Sequence, residues 1–165
     1  MGASASEPAG ASIAVIDTMI ASAIIVGGRR AWSADLLSRY GAHLRGASIV
    51  LSFATVAELR FGGIKAGWSS GRIRKMEDWF HGVATIVMPD NELVDVCANL
   101  RAECLRSGLG LSDKIHDSDR WIASTAIRHG IPLISDDGVF RNVPGLILVQ
   151  ERKNPSALVG ELEPK

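Results

Sequence analysis

Ile13-Ala14-Val15-Ile16-Asp17 is a short apolar run that ends on an acid, and Pro132-Leu133-Ile134-Ser135-Asp136-Asp137 repeats that arrangement far along the chain. Three similar runs lie between and after them. They are Ser48-Ile49-Val50-Leu51, Thr85-Ile86-Val87-Met88 stopped by Pro89, and Leu146-Ile147-Leu148-Val149 behind a Pro144-Gly145 turn. Each run is rich in β-branched residues, which suit strands. Each is continuously apolar rather than alternating, the pattern of strands buried on both faces. The segments between them have helical spacing. Residues 34–44 place Leu36, Leu37, Tyr40 and Leu44 on one face, and residues 69–80 do the same with Ile73, Met76, Trp79 and Phe80. Helices are also expected over residues 55–65, over residues 91–106 with Asn91 as cap and Glu92 in the first turn, and over residues 117–129, closed by Gly130. Strands that alternate with helices predict a doubly wound α/β domain, with a central parallel sheet of about five strands covered by helices.

The 165 residues suit one domain, and a 47% hydrophobic fraction supplies a core. The expected division is a mobile tail over residues 1–12, a folded domain over residues 13–150 and a C-terminal tail over residues 151–165. The opening Met1 to Ser6 formally fits an N-myristoylation pattern, but that pattern is short and built from common residues. The apolar residues 13–26 are interrupted by Asp17 and are too few to span a bilayer, so no membrane association is expected. Cys97 and Cys104 share a helix face about 10 Å apart, too far for a disulfide. They read as two buried thiols in a reducing cytoplasm. The net charge of +0 offers no global attraction for nucleic acid, which leaves that task to local patches.

Ligands of such sheets bind beyond the carboxyl ends of the strands. Asp17 follows the first strand, and Asp136 and Asp137 follow the fourth. Glu58 lies near the start of the helix after the second strand, among Val56, Ala57 and Leu59, an apolar setting for a free charge. Asp117 and Asp119 open the helix that leads into the fourth strand. Each acid also has an ordinary reading. Asp17 can cap the next helix, Glu58 and Asp119 can sit in helix first turns, and Asp136-Asp137-Gly138 can be a turn. Gathered together, carboxylates raise one another's pKa, and a hard divalent cation removes that penalty. Oxygen ligands without a thiol or imidazole cluster favour Mg²⁺ or Mn²⁺ over Zn²⁺.

Val15-Ile16-Asp17-Thr18 and Ser52-Phe53-Ala54-Thr55-Val56-Ala57-Glu58-Leu59-Arg60-Phe61-Gly62 resemble the first half of a PIN domain. Asp119-Arg120-Trp121-Ile122-Ala123-Ser124-Thr125-Ala126 resembles that family's Asp-x-x-Ile-Ala-Ala-x-Ala helix. Pro132-Leu133-Ile134-Ser135-Asp136-Asp137-Gly138-Val139-Phe140 resembles its late strand and Thr-x-Asp-x-x-Phe element. The resemblance runs in order over nearly the whole chain. Two departures are Ser124 for the second Ala and Ser135 for the commoner Thr.

The Thr-Val-Ala-Glu-Leu-Arg-Phe-Gly string and the size are most similar to VapC toxins of bacterial toxin–antitoxin pairs. The resemblance implies a Mg²⁺-dependent endoribonuclease with catalytic acids Asp17, Glu58, Asp119 and Asp137, of which Asp17 and Asp119 are the main metal ligands. It favours Asp119 over Asp117 because Ile122 follows by three, and Asp137 over Asp136 because Phe140 follows by three. Thr18 and Ser135 fall on small hydroxyl positions that support the carboxylates. The implied substrate is structured RNA such as transfer or ribosomal RNA, cut where it is unpaired. The implied partners are a VapB-like antitoxin and a second copy of the chain, in a homodimer and a toxin–antitoxin hetero-oligomer. Residues 62–79, with Trp68 and Trp79, are implied in an antitoxin groove and a dimer surface. Arg60, Lys65, Arg72, Arg74 and Lys75 are the densest basic stretch, suited to gripping a phosphate backbone or simply a solvated helix face. A PIN nuclease of RNA processing and a non-catalytic binding domain are the competing readings.

Overall fold

The structure is a computed structural model that describes residues 12–151. Apart from Ser12 and Glu151, the expected end segments and the acylation pattern lie outside the described residues. Five strands, β1 (Ile13–Ile16), β2 (Ser48–Ser52), β3 (Ala84–Val87), β4 (Leu133–Ile134) and β5 (Leu148–Val149), form one sheet in the order β3-β2-β1-β4-β5. Every neighbouring pair is parallel. Helices α1 (Thr18–Val26) and α2 (Ala31–Leu44) connect β1 to β2, and α3 (Phe53–Lys65) and α4 (Ser70–Val83) connect β2 to β3. Helices α5 (Asn91–Arg106) and α6 (Asp117–His129) carry the chain back across the sheet to β4.

Alternation along the strands divides the core. Ile16, Ile49, Leu51 and Ile134 point to one face, where Ile20 and Ala21 of α1, Leu36 and Tyr40 of α2, and Met76 and Phe80 of α4 cover them. Val15, Val50 and Leu133 point to the other, against Leu100 and Cys104 of α5 and Ile122 and Ala126 of α6. Tyr40 and Phe80 are fully buried, each worth about 2–3 kcal/mol of apolar transfer. Both cysteines are buried and free, as expected. Trp68 and Trp79 are both partly buried against the first core. No helix among the described residues is long and apolar enough to cross a membrane.

Several boundaries move from their sequence positions. The cap of α5 is Asp90 rather than Asn91, because the Asp90 carboxylate accepts the Leu93 N–H at 2.9 Å. Helix α2 starts at Ala31 and takes in Trp32. Strands β4 and β5 pair over only two residues each. Gly130 ends α6 with φ of 62°, the left-handed conformation that an unbranched backbone adopts without strain.

Candidate active site at the carboxyl edge of the sheet

The sheet order sets the site. Successive strands run from β1 outward to β3, then the chain returns to place β4 on the other flank of β1. The crevice beyond β1 and β4 is therefore the topological switch point, where open α/β sheets bind ligands. Register aligns Ile16 with Ile134, so the residues that follow, Asp17 and Ser135, meet. The Ser135 hydroxyl donates to Asp17 Oδ2. Asp17 also caps α1, its Oδ1 accepting the Ile20 N–H at 2.8 Å. One carboxylate thus both caps α1 and ties β1 to the end of β4.

Strand β2 flanks β1 on its other side, and α3 leaves it directly with Glu58 in its second turn. Glu58 Oε2 accepts the Thr18 hydroxyl, which ties α3 to the start of α1. Asp119 sits in the first turn of α6, with Oδ2 2.8 Å from His116 Nδ1. That imidazole nitrogen carries the proton when the carboxylate is ionised. Asp137 is exposed, its backbone N–H bonded to the Ser135 hydroxyl at 3.0 Å and its Oδ1 accepting the Val139 N–H at 2.9 Å. Asp17 feels the charges of Asp137 and Asp119, and Asp119 those of Asp137 and Glu58. The four acids from four segments are thereby brought together.

Their neighbours are not. Asp136 turns toward α2, where Arg39 grips both its oxygens and the Tyr40 hydroxyl donates to it at 3.0 Å. Asp117 is paired with Arg120. Neither His116 nor Arg39 stands out in the sequence, and Tyr40 does so only as a residue of the apolar helix face. The His116-x-x-Asp119 spacing was a usable signal for the first, whereas Arg39 meets Asp136 only through the fold.

Burial distinguishes Asp17 and Asp119 from ordinary surface acids. Burial pushes the Asp17 carboxyl up to about 6; its bonds from Ile20 and Ser135 oppose the rise, and the charges of Asp137 and Asp119 add to it. Burial also raises Asp119, against its bond to His116 and with the charges of Asp137 and Glu58. Among the described residues, no lysine or arginine forms an ion pair with any of the four. Arginines elsewhere do pair with acids, as Arg60 does with Glu77 and Arg128 with Asp90 and Glu92.

The residues fit a hard divalent cation. Among the described residues, no group of three or more His, Cys, Asp or Glu side chains stands ready to hold an ion alone. Mg²⁺ does not need one, because it is bound through one or two carboxylates and completes its shell with water and substrate oxygens. The donors are all oxygens, uncompensated by lysine or arginine, and Asp17 feels the charge of Asp119. One further polar atom supports a hydrated site. Thr55 Oγ1 is buried without a hydrogen-bond partner, one helical turn before Glu58 on the same side of α3.

A parallel α/β domain with an acidic crevice at its switch point is the class that fold and site define. The family profile described as PIN domain matches residues 14–146, and the chain belongs to the PIN domain family. No curated protein sequence matches the chain significantly. Among solved structures, VapBC2 from Rickettsia felis, bound to a DNA fragment from its promoter, is similar at 23% identity and a TM-score of 0.63, over 84% of this chain and 98% of that one. VapBC-1 from nontypeable Haemophilus influenzae is similar at 22% identity and 0.64, over 84% and 97%. VapBC-5 from Mycobacterium tuberculosis, a member of the VapBC family of toxin–antitoxin systems, is similar at 19% identity and 0.59, over 85% and 99%. At these identities the likeness is one of fold.

Proposed function

We propose that this protein is a Mg²⁺-dependent endoribonuclease, the toxin of a toxin–antitoxin pair. The observation that carries the nuclease reading is the set of four carboxylates from four segments, in which Asp137 acts on both Asp17 and Asp119 and Glu58 acts on Asp119, uncompensated by lysine or arginine. Such a site favours a divalent cation together with a phosphodiester. Asp17 and Asp119 would hold the ion, and Glu58 and Asp137 would complete the site. When bound, Mg²⁺ or Mn²⁺ supplies positive charge beside the scissile phosphate and makes a nearby water more acidic.

The chain's own residues do the positioning. Ser135 and the Ile20 N–H hold both oxygens of Asp17, Thr18 holds Glu58, and His116 holds Asp119. In-line attack by water forms one P–O bond as the bond to O3′ breaks, which leaves a 5′-phosphate and a 3′-hydroxyl. The cut strand is unpaired, because an A-form helix hides its bases from side chains. Support for the toxin reading and for a VapB-like antitoxin comes from the fold likeness to VapBC proteins.

Purified protein should cleave single-stranded RNA with Mg²⁺ and not with chelator, and Asp17→Asn or Asp119→Asn should abolish cleavage. Retained metal-dependent cleavage in either variant would remove the site assignment. Induced expression should arrest growth, and a co-expressed small partner should relieve the arrest. Growth unaffected by induction would leave a nuclease of another role.

A further inference from the structure

Arg60, Lys65, Arg72, Arg74 and Lys75 are close in sequence, but the fold separates their roles. Arg60 is committed to Glu77 through two bonds of 2.7 Å. Arg72 and Lys75 instead line a pocket of about 390 Å³ with Arg29, which comes from the loop after α1, and with Ser69, the cap of α4. Lys65 and Arg74 do not line it. Among the described residues, none of Arg29, Arg72 and Lys75 has a carboxylate partner within ion-pair distance. The first turn of α4 adds the positive end of a 14-residue helix to the same wall. Three uncompensated cations from two segments around one cavity are complementary to an anion.

Arg72 is also the link to the acids. It lines a second cavity, of about 250 Å³, whose wall includes Thr18 and Glu58 at the catalytic end together with Trp32 and Trp68. Its guanidinium lies 3.8 Å from the Trp68 ring centroid, which holds the planar fork in place. Trp68 is itself seated on α3, where a Cβ at Gly63 would come within 3.2 Å of its ring. Acid cluster, tryptophan-walled groove and cationic pocket therefore adjoin one another. A site for free phosphate would have no use for such a path, whereas a strand cut at the acids must leave them in some direction. Aromatic and cationic walls along one groove are what single-stranded nucleic acid binds.

We propose that Arg29, Arg72 and Lys75 form a backbone-phosphate subsite for an unpaired stretch of the substrate RNA, remote from the bond that is cut. The proposal rests on the ribonuclease reading and names which basic residues serve it. Arg29 becomes part of the RNA-binding surface although it lies far in sequence from the basic stretch.

The test is binding of a labelled single-stranded RNA oligonucleotide to the full chain in chelator, followed by fluorescence anisotropy at several salt concentrations. Arg29→Gln with Lys75→Gln should weaken binding roughly tenfold or more and lower the salt slope by about 1.4. Arg74→Gln, on the same helix but outside the pocket, should change the slope far less. The variants should melt like the parent, since Arg29 and Lys75 are exposed. If the parent binds RNA and the double variant keeps its affinity and slope, the subsite is wrong while the ribonuclease reading stands. If inorganic phosphate stabilises the parent but not the double variant, and RNA affinity is unchanged, the pocket is a free-phosphate site and the proposal fails. If the parent binds polyglutamate but no RNA, both readings fail together.

Discussion

Asp17→Asn should make the metal-free protein more stable while removing its activity. Raising the carboxyl from its ordinary 3.8 to about 6 means that the folded state holds a proton more tightly than the unfolded chain does. The stability this contributes is fully present below pH 3.8 and is lost as pH rises to about 6. At neutral pH the ionised group therefore costs about 3 kcal/mol. Asparagine carries no charge, caps helices as well as aspartate does, and can donate to the Ser135 oxygen. Allowing for the weaker neutral hydrogen bonds, the net gain should be about 1–3 kcal/mol, or roughly 3–10 °C in melting temperature. The gain should shrink to roughly half at about pH 5, where the native carboxyl is mostly protonated. Thermal melts of both proteins in chelator, at about pH 7.5 and about pH 5, measure it. A variant that melts at or below the parent at the higher pH, or a gap that ignores pH, would refute the burial argument for Asp17.

Three other substitutions probe the surroundings. Ser135→Ala removes a bond that favours the charged form of Asp17, so the pH at which Asp17 titrates should move further upward, followed in the pH dependence of metal-free stability. Tyr40→Phe removes a buried hydroxyl that bonds Asp136 and the Ser135 carbonyl and accepts the Glu151 N–H, and should cost about 1–3 kcal/mol by urea denaturation with little loss of packing. Arg120 is buried and donates to the Leu111 and Asp113 carbonyls while pairing with the half-exposed Asp117, so Arg120→Met leaves those carbonyls unpaired rather than a buried charge and should cost about 1–3 kcal/mol by the same assay. Arg120→Lys should restore only part of that, because an ammonium cannot reproduce the planar fork.

Much of the architecture was legible in the chain. Continuous apolar runs between helical segments specified a covered parallel sheet, and all five runs became strands. Cap positions depend on which neighbour makes the better contact, and Asp90 rather than Asn91 reaches the Leu93 N–H. The helix spacing around Glu58 and the ordered motifs also brought four acids forward as a set. For paired neighbours, the resemblance to the family motifs ranked the candidates, and the fold supplied separate partners. Asp136 is held by Arg39, 97 positions away in the chain, and Asp117 by Arg120.

The sequence by itself determined the element types, the family and the positions of the acids, because periodicity, caps and motifs are local properties of the chain. Only the tertiary structure decided that β4 returns to the free flank of β1, which sets Ser135 on Asp17 and leaves Asp137 within reach of its charge. It also decided which cations stay uncompensated, since Arg60 meets Glu77 whereas Arg29 joins Arg72 and Lys75 around one cavity. The physical reason is that a charge's environment is set by whatever the fold packs against it. Burial and long-range pairing act across segments that no local pattern connects.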